Sequence, residues 1–355
     1  MTVKKSFSIF IIIVIISICG VLFFSIDSST FLMLKNADPK YILYAAILVI
    51  AGWSLDALKF WILSHAAGEK LSIRSTFEVV WINYFGCAIT PMQSGGGPFQ
   101  IYLLYRNGIS IGKSVAITLV RTLQVLFLLG IIIPFSVIFA PDLLQNYKYI
   151  KVYLCYVIFF ISGCAFLISA SVFKPVWIKK IGYTILNGLN KIKLLKNEHL
   201  PKALNWVNRE VDVYNTNIKL FTSTGKWWFI LSIFIAAMHL IVYMSIMPCL
   251  IKASGFSVNY IQCILAEAFF IFMLYFVPTP GASGAAEGGA VAILTLFVPW
   301  NIAGVMAITW RLISEYSGVF IGMIIAIKML GWIGADKIMK ADEDFSEKDK
   351  NLGKK

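Results

Sequence analysis

Long apolar runs dominate this chain. Six of them, near residues 7–26, 41–64, 114–140, 150–173, 227–250 and 303–328, are each long enough to cross a bilayer, given that a spanning helix needs about 20 predominantly apolar residues. A water-soluble fold cannot hide such runs around one or two cores. With 59% hydrophobic and only 14% charged residues over 355 positions, an ordinary soluble enzyme, a disordered chain and a nucleic-acid binder are all excluded, despite a net charge of +13. The fold class is therefore an all-α polytopic membrane protein. The run after Lys4 and Lys5 is followed by no small-x-small cleavage site, so it reads as a retained first helix.

Two further apolar runs, 77–90 and 260–278, are shorter, and each ends in a cluster of proline and glycine. The first is Thr90-Pro91-Met92-Gln93-Ser94-Gly95-Gly96-Gly97-Pro98, and the second is Pro278-Thr279-Pro280-Gly281-Ala282-Ser283-Gly284. A helix does not run through such clusters. Short segments follow, at 99–105 and 285–298. Each set reads as a broken or re-entrant hairpin, which brings the expected number of membrane segments to about 8. Irregular backbone at membrane depth is tolerated only where it is buried in protein or lines a cavity.

Lysine and arginine set the expected orientation. With the N-terminus in the cytoplasm and each hairpin returning to its own side, 23 of the 31 basic residues fall inside and five outside. Lys59, Arg121 and Arg311 remain within the spans. Such a bias fits the positive-inside rule, and places both termini in the cytoplasm of a cell-membrane protein.

The two hairpins repeat one another. Glu78 and Glu267, Thr90 and Thr279, Pro91 and Pro280, Ser94 and Ser283, and Gly95 and Gly284 are each 189 residues apart, and Arg121 and Arg311 are 190 apart. The expected topology turns the copies in opposite directions, giving an inverted repeat of about 41–140 and 227–330 within one membrane domain, 1–335, followed by a charged tail, 336–355. Broken helices in inverted repeats point to a transporter site near the midplane, although small residues also serve plain helix packing. Charges inside the spans sharpen the reading, because each costs about 3 kcal/mol or more unless paired or wetted. Arg311 and Glu315 are four apart and can neutralise each other. Arg121 has no such neighbour and requires a distant acid, such as Glu78 or Asp56, or an anionic ligand. Asp56 and Lys59 can pair with each other. Glu287 suits either a helix N-terminus or the site itself.

The candidate substrate-binding set is thus Arg121, Arg311, Glu78, Glu267, Glu287 and Glu315 with Ser94, Gly95, Gly96, Ser283 and Gly284. Arginine matches phosphate oxygens with a two-pronged donor, and glycine-rich turns expose amides that cradle anions. No Gly-Lys-Ser/Thr follows either cluster, so nucleotide binding is unsupported. The six cysteines sit in apolar stretches and the three histidines lie far apart. Neither set has metal-ligand spacing, and no cofactor and no catalytic set are expected. Segment 174–226 carries ten basic residues. Its Leu204, Val207, Val211, Tyr214, Ile218 and Phe221 are spaced as on an amphipathic helix, suited to anionic lipids of the inner leaflet. A nucleic-acid partner is not expected, and a homo-oligomer stays open.

The first cluster, with Tyr102 to Arg106 after it, resembles the first signature of the lysylphosphatidylglycerol synthase/flippase-like transmembrane family. The run Pro278 to Gly289, with Ala285-Ala286-Glu287-Gly288-Gly289 at its end, resembles the second, and Arg311 with Glu315 resembles the charged pair of the next helix. The likeness spans roughly 5–335. It implies a lipid-translocating membrane domain for a phospholipid with an anionic phosphate headgroup, of the lysylphosphatidylglycerol type. Bifunctional members carry a large soluble aminoacyl transferase. Neither 174–226 nor Asp336 to Lys355 has room for that fold, so an enzymatic role is not the expectation. An intramembrane lipid-modifying transferase and an ion-coupled transporter of small solutes remain the alternatives.

Overall fold

In a computed structural model of the protein, the described residues are 3–25, 37–139 and 225–329, with single positions between 162 and 223. Most of the expected span 150–173, most of 174–226 and the whole tail lie outside them. Among the described residues the chain is helical, without strands, as its apolar periodicity requires when backbone groups must bond within their own segment.

The first run forms α1, Val3–Ser25. Asp38 caps α2, Pro39–Ala66, by accepting from the Lys40 amide at 2.9 Å, with Pro39 in the first turn where its missing N–H costs nothing. Hairpin one follows as α3, Ile73–Ala88, and α4, Gly96–Arg106. α3 starts four residues earlier than its apolar run because Ser72 caps it, accepting from the Ser75 amide at 3.1 Å. α5 spans Ile111–Phe139. In the second half, α6, Lys226–Met244, breaks at Ser245 before α7, Ile246–Ala253. Pro248 has no N–H to continue the ladder through that point. Hairpin two is α8, Tyr260–Leu274, and α9, Ala285–Leu294. The last helix is α10, Trp300–Arg311, which passes through a π-helical turn, Leu312–Tyr316, and is described as far as Met329.

Four helical stretches are long and apolar enough to cross a membrane: Pro39–Ala66, Ile111–Pro134, Lys226–Ala253 and Trp300–Met329. By contrast, α4 has 11 residues and α9 has 10. At 1.5 Å per residue each is about 15 Å long, half of a hydrocarbon core of roughly 30 Å.

Hairpin one is antiparallel, as its contacts show in order. Ser75 donates to Asn107 at 2.7 Å, Gln100 donates to the Val79 carbonyl at 3.2 Å, and Gly86 meets Gly95 at the tip. The close approach depends on glycine, because a Cβ on Gly86 would stand 2.7 Å from the Gly95 carbonyl oxygen. The halves interlock. α6 and α7 lie along α2, and α8 packs on α5. α3 meets the last helix where Gly318 and Gly322 leave room for Tyr84 and Trp81, a small-xxx-small packing face.

Candidate functional site

The hairpin tips meet. Pro91 and Pro280 face each other in an isolated antiparallel bridge. The Met92 amide donates to the Val277 carbonyl at 3.2 Å, and the Gly281 amide donates back to Cys87 and Thr90 at 3.2 and 3.3 Å. Each tip makes the same turn, with Ser94 N–H donating to Pro91 and Ser283 N–H to Pro280, both at 3.1 Å. Met92 and Gln93 have φ of 53° and 54°, and Gly281 and Ala282 have 61° and 55°. Left-handed backbone at both central residues is characteristic of a type I′ turn and normally calls for Gly or Asn. Three of these four are neither, and such strain gathers at functional positions. Hydroxyls brace both turns. Thr90 accepts from the Gly95 amide at 2.7 Å and donates to Gly86 at 2.8 Å, while Thr279 donates to the Ser283 carbonyl at 2.9 Å.

Beside tip one lies a cavity of about 470 Å³. Its walls include Met92, Gln93 and Ser94 of the tip, Asp56 of α2, Arg121 of α5, His239 and Tyr243 of α6, and Arg311 and Glu315 of the last helix. Arg121 and Arg311, 190 residues apart, thus reach one space.

The two arginines are held differently. Arg121 grips Asp56 with both prongs, Nη2 to Oδ2 at 2.6 Å and Nε to Oδ1 at 3.3 Å, and lies over the Phe60 ring at 5.1 Å. Lys59 meets the same carboxylate at 2.7 Å. One carboxylate between two cations leaves this wall positive. Arg311 donates to the Gly281 carbonyl of tip two at 2.7 Å. It also stands 3.5 Å from Glu287 and 3.8 Å from Glu315, so here one cation lies between two carboxylates and its surroundings are negative. Arg121 is 13% exposed and Arg311 3%, which makes Arg121 the more accessible cation. Glu287 receives the Gly284 amide at 2.5 Å and the Tyr316 hydroxyl, and Arg311 lies over the Tyr316 ring at 5.6 Å. Glu287 is therefore both a helix cap and the tie between tip two and the π-helical turn.

Not every residue of the sequence set reaches the cavity. Arg121, Arg311, Glu315 and Ser94 line it. Glu287 stands behind Arg311. Glu78 pairs instead with exposed Arg74 at 3.0 Å. Gly95 and Gly96 serve closure of hairpin one, since a side chain on Gly96 would collide with Asn83 and Cys87. Ser283 and Gly284 lie in tip two, away from the cavity wall. Glu267 is fully buried outside it. His239 and Tyr316 escaped the sequence reading, because neutral polar residues in apolar runs do not stand out as formal charges do. Their signal was their position, His239 as the single histidine of its span and Tyr316 next to Glu315. Among the described residues no group of three His, Cys, Asp or Glu is placed to hold a metal ion.

A family model described as the lysylphosphatidylglycerol synthase TM region matches residues 8–322. The chain belongs to this family. The match covers both hairpins, both arginines and the cavity between them. A UPF0104 membrane protein of Archaeoglobus fulgidus is 23% identical over 317 residues, covering 88% of this chain and 94% of that protein. A second UPF0104 membrane protein, from Methanocaldococcus jannaschii, is 23% identical over 301 residues, covering 82% and 85%. Family membership and the apolar helices make this a multi-pass membrane protein.

Proposed function

We propose that the chain is a lipid translocase of the cell membrane, which passes a phosphate-bearing headgroup through the cavity while the acyl tails stay in lipid. The observation that carries this reading is the arrival of Arg121 and Arg311 on the wall of one cavity of about 470 Å³. That volume falls within the range of roughly 300–1,000 Å³ typical of small-ligand sites, and suits a headgroup rather than a whole lipid. Arginine is the side chain whose donor geometry fits phosphate. Thr118 and His239 also line this cavity, and the Thr118 hydroxyl and both ring nitrogens of His239 are buried without hydrogen-bond partners, which a polar ligand would supply. The family's name points to lysylphosphatidylglycerol as the lipid type, and Glu315 on the cavity wall suits an amino group beside the phosphate.

The inverted repeat gives the translocation its mechanism. Positions 189 apart share the same turn and the same left-handed pair, and Pro91 faces its counterpart Pro280, as a two-fold axis through the tips requires. Rocking of one half against the other exposes the cavity to each side in turn. With the basic loops inside, both termini face the cytoplasm, and 174–226 gathers anionic lipid there. The test is reconstitution into vesicles with fluorescent phospholipids. Wild type accelerates their transfer between leaflets, and Arg121→Ala and Arg311→Ala each reduce the rate at least about tenfold, the equivalent of one charge-assisted contact. Unchanged rates in both variants would remove the arginines from the mechanism.

A further inference from the structure

Glu267 is the one carboxyl group of the described membrane segments with neither a cation nor a hydrogen bond. It sits in α8, is 0% exposed, and both its oxygens lack a hydrogen-bond partner. The indole N–H of Trp310 is the donor turned towards it, and stays outside hydrogen-bond geometry. The titratable groups that face it are the Cys263 thiol on its own helix and the Tyr243 phenol from α6. No lysine, arginine or histidine of the described residues acts on it. Arg311, next to Trp310 in sequence, is already committed to Gly281, Glu287 and Glu315.

A bare carboxylate in such a place is far too costly, and a buried acid without a partner answers by taking up a proton. An acid held there for packing alone would be better replaced by leucine or glutamine, whereas ionisable groups inside membranes commonly lie on ion and proton paths. Glu267 is also near the cavity. Ile271 and Leu274, four and seven residues along the same helix, line the cavity, as do Tyr243 and Trp310. Tyr243 and Trp310 both line the cavity and face Glu267, so a phosphate held beside them would add negative charge within reach of the carboxyl. The protonated form of Glu267 is then favoured, and by reciprocity the proton strengthens ligand binding.

We infer that Glu267 is a proton-binding site linked to the cavity, so that a proton binds together with the phosphate-bearing headgroup and is released when an opposite-facing state wets the carboxyl. The inference rests on the translocase reading for its ligand. The step is a simple protonation, Glu267 carboxylate plus one proton giving the acid, with no other bond made or broken.

The experiment is infrared titration of the purified full-length protein in detergent, with wild type compared to Glu267→Gln. The carboxylic-acid band of Glu267 is expected in wild type and absent from the variant. On adding short-chain phosphatidylglycerol, the pH at which the band disappears is expected to rise by about one unit, which corresponds to about tenfold tighter lipid binding by the protonated protein. Short-chain diacylglycerol, which lacks the phosphate, leaves it unmoved. Inorganic phosphate distinguishes the sources, since a shift with phosphate alone assigns the linkage to the anion and a shift with the lipid alone to the whole headgroup. Absence of the band from wild type overturns the inference, and so does a midpoint that neither phosphate compound moves, which would make Glu267 a structural acid. If Glu267→Gln does not fold, Glu267→Asp keeps an acid and identifies the band by its displacement. A shifted midpoint in a wild-type protein that moves no lipid between leaflets would remove the translocase reading and leave the proton-linked anion site standing.

Discussion

Asp56 is the acid that two cations of the cavity region share. It is 1% exposed and holds Lys59 and Arg121 together. Its removal as Asp56→Ala leaves two buried cations without a counter-charge, a change that costs about 3–5 kcal/mol when one partner of a buried pair is lost. The expected result is a large drop in the thermal midpoint of the purified protein. Adding Lys59→Met to Asp56→Asn removes one stranded charge and should recover part of the loss. Strict additivity of the two changes would show that the triad is not coupled. Beside Arg311, Tyr316→Phe takes the hydroxyl away from Glu287. The buried oxygen left behind carries a cost of about 1–3 kcal/mol, readable in the same melting assay. The sequence made these charges visible but not their partners. Arg121 needed a distant acid, and Glu78 and Asp56 served equally well until α2 and α5 were seen side by side.

At the scale of elements, glycine separates what packs from what does not. In hairpin one, a Cβ on Gly86 meets the backbone of tip one at 2.7 Å, whereas one on Gly52 or Gly288 meets nothing within 4 Å. Gly86→Ala should therefore cost about 1–3 kcal/mol, as overpacking of a closed core does. Gly52→Ala and Gly288→Ala lie in helices and should be neutral or slightly stabilising, since alanine is the better helix former by roughly 1 kcal/mol. Equal melting points for all three would refute the close-packed hairpin. Hairpin positions were legible in sequence because proline and glycine interrupt helices through local chemistry. The work divided among their glycines was not. Gly95 and Gly96 close α3 against α4, a relation fixed by Thr90, Gly86, Cys87 and Asn83, five to thirteen positions away. The π-helical turn after Arg311 also left no local mark, as no proline or glycine lies within Leu312–Tyr316.

For the whole molecule, the membrane class could be read directly, because apolar run length survives without any knowledge of packing, and the offset of 189 residues between the tips is itself a property of the sequence. That the repeated tips touch could not, since an offset states likeness and carries no distance. The contact has a mechanical consequence. Pro91 and Pro280 stand opposite each other in an antiparallel bridge, where Cα atoms are about 4.5–5.5 Å apart, inside the span of about 4.4–6.8 Å that a disulfide tolerates. If the halves rock about the tips, joining these positions should stop the cycle while leaving the cavity intact. The Pro91→Cys/Pro280→Cys protein, made in a background with the six native cysteines replaced, is expected to lose at least about nine-tenths of its lipid transfer when oxidised and to recover it on reduction, because a fixed tip denies the protein one of the two states it must visit. Lipid binding, followed by native mass spectrometry of the oxidised protein, should persist. Full transfer by a fully cross-linked protein would mean that the tips stay joined throughout, and would shift the moving part to the helices that pack around them.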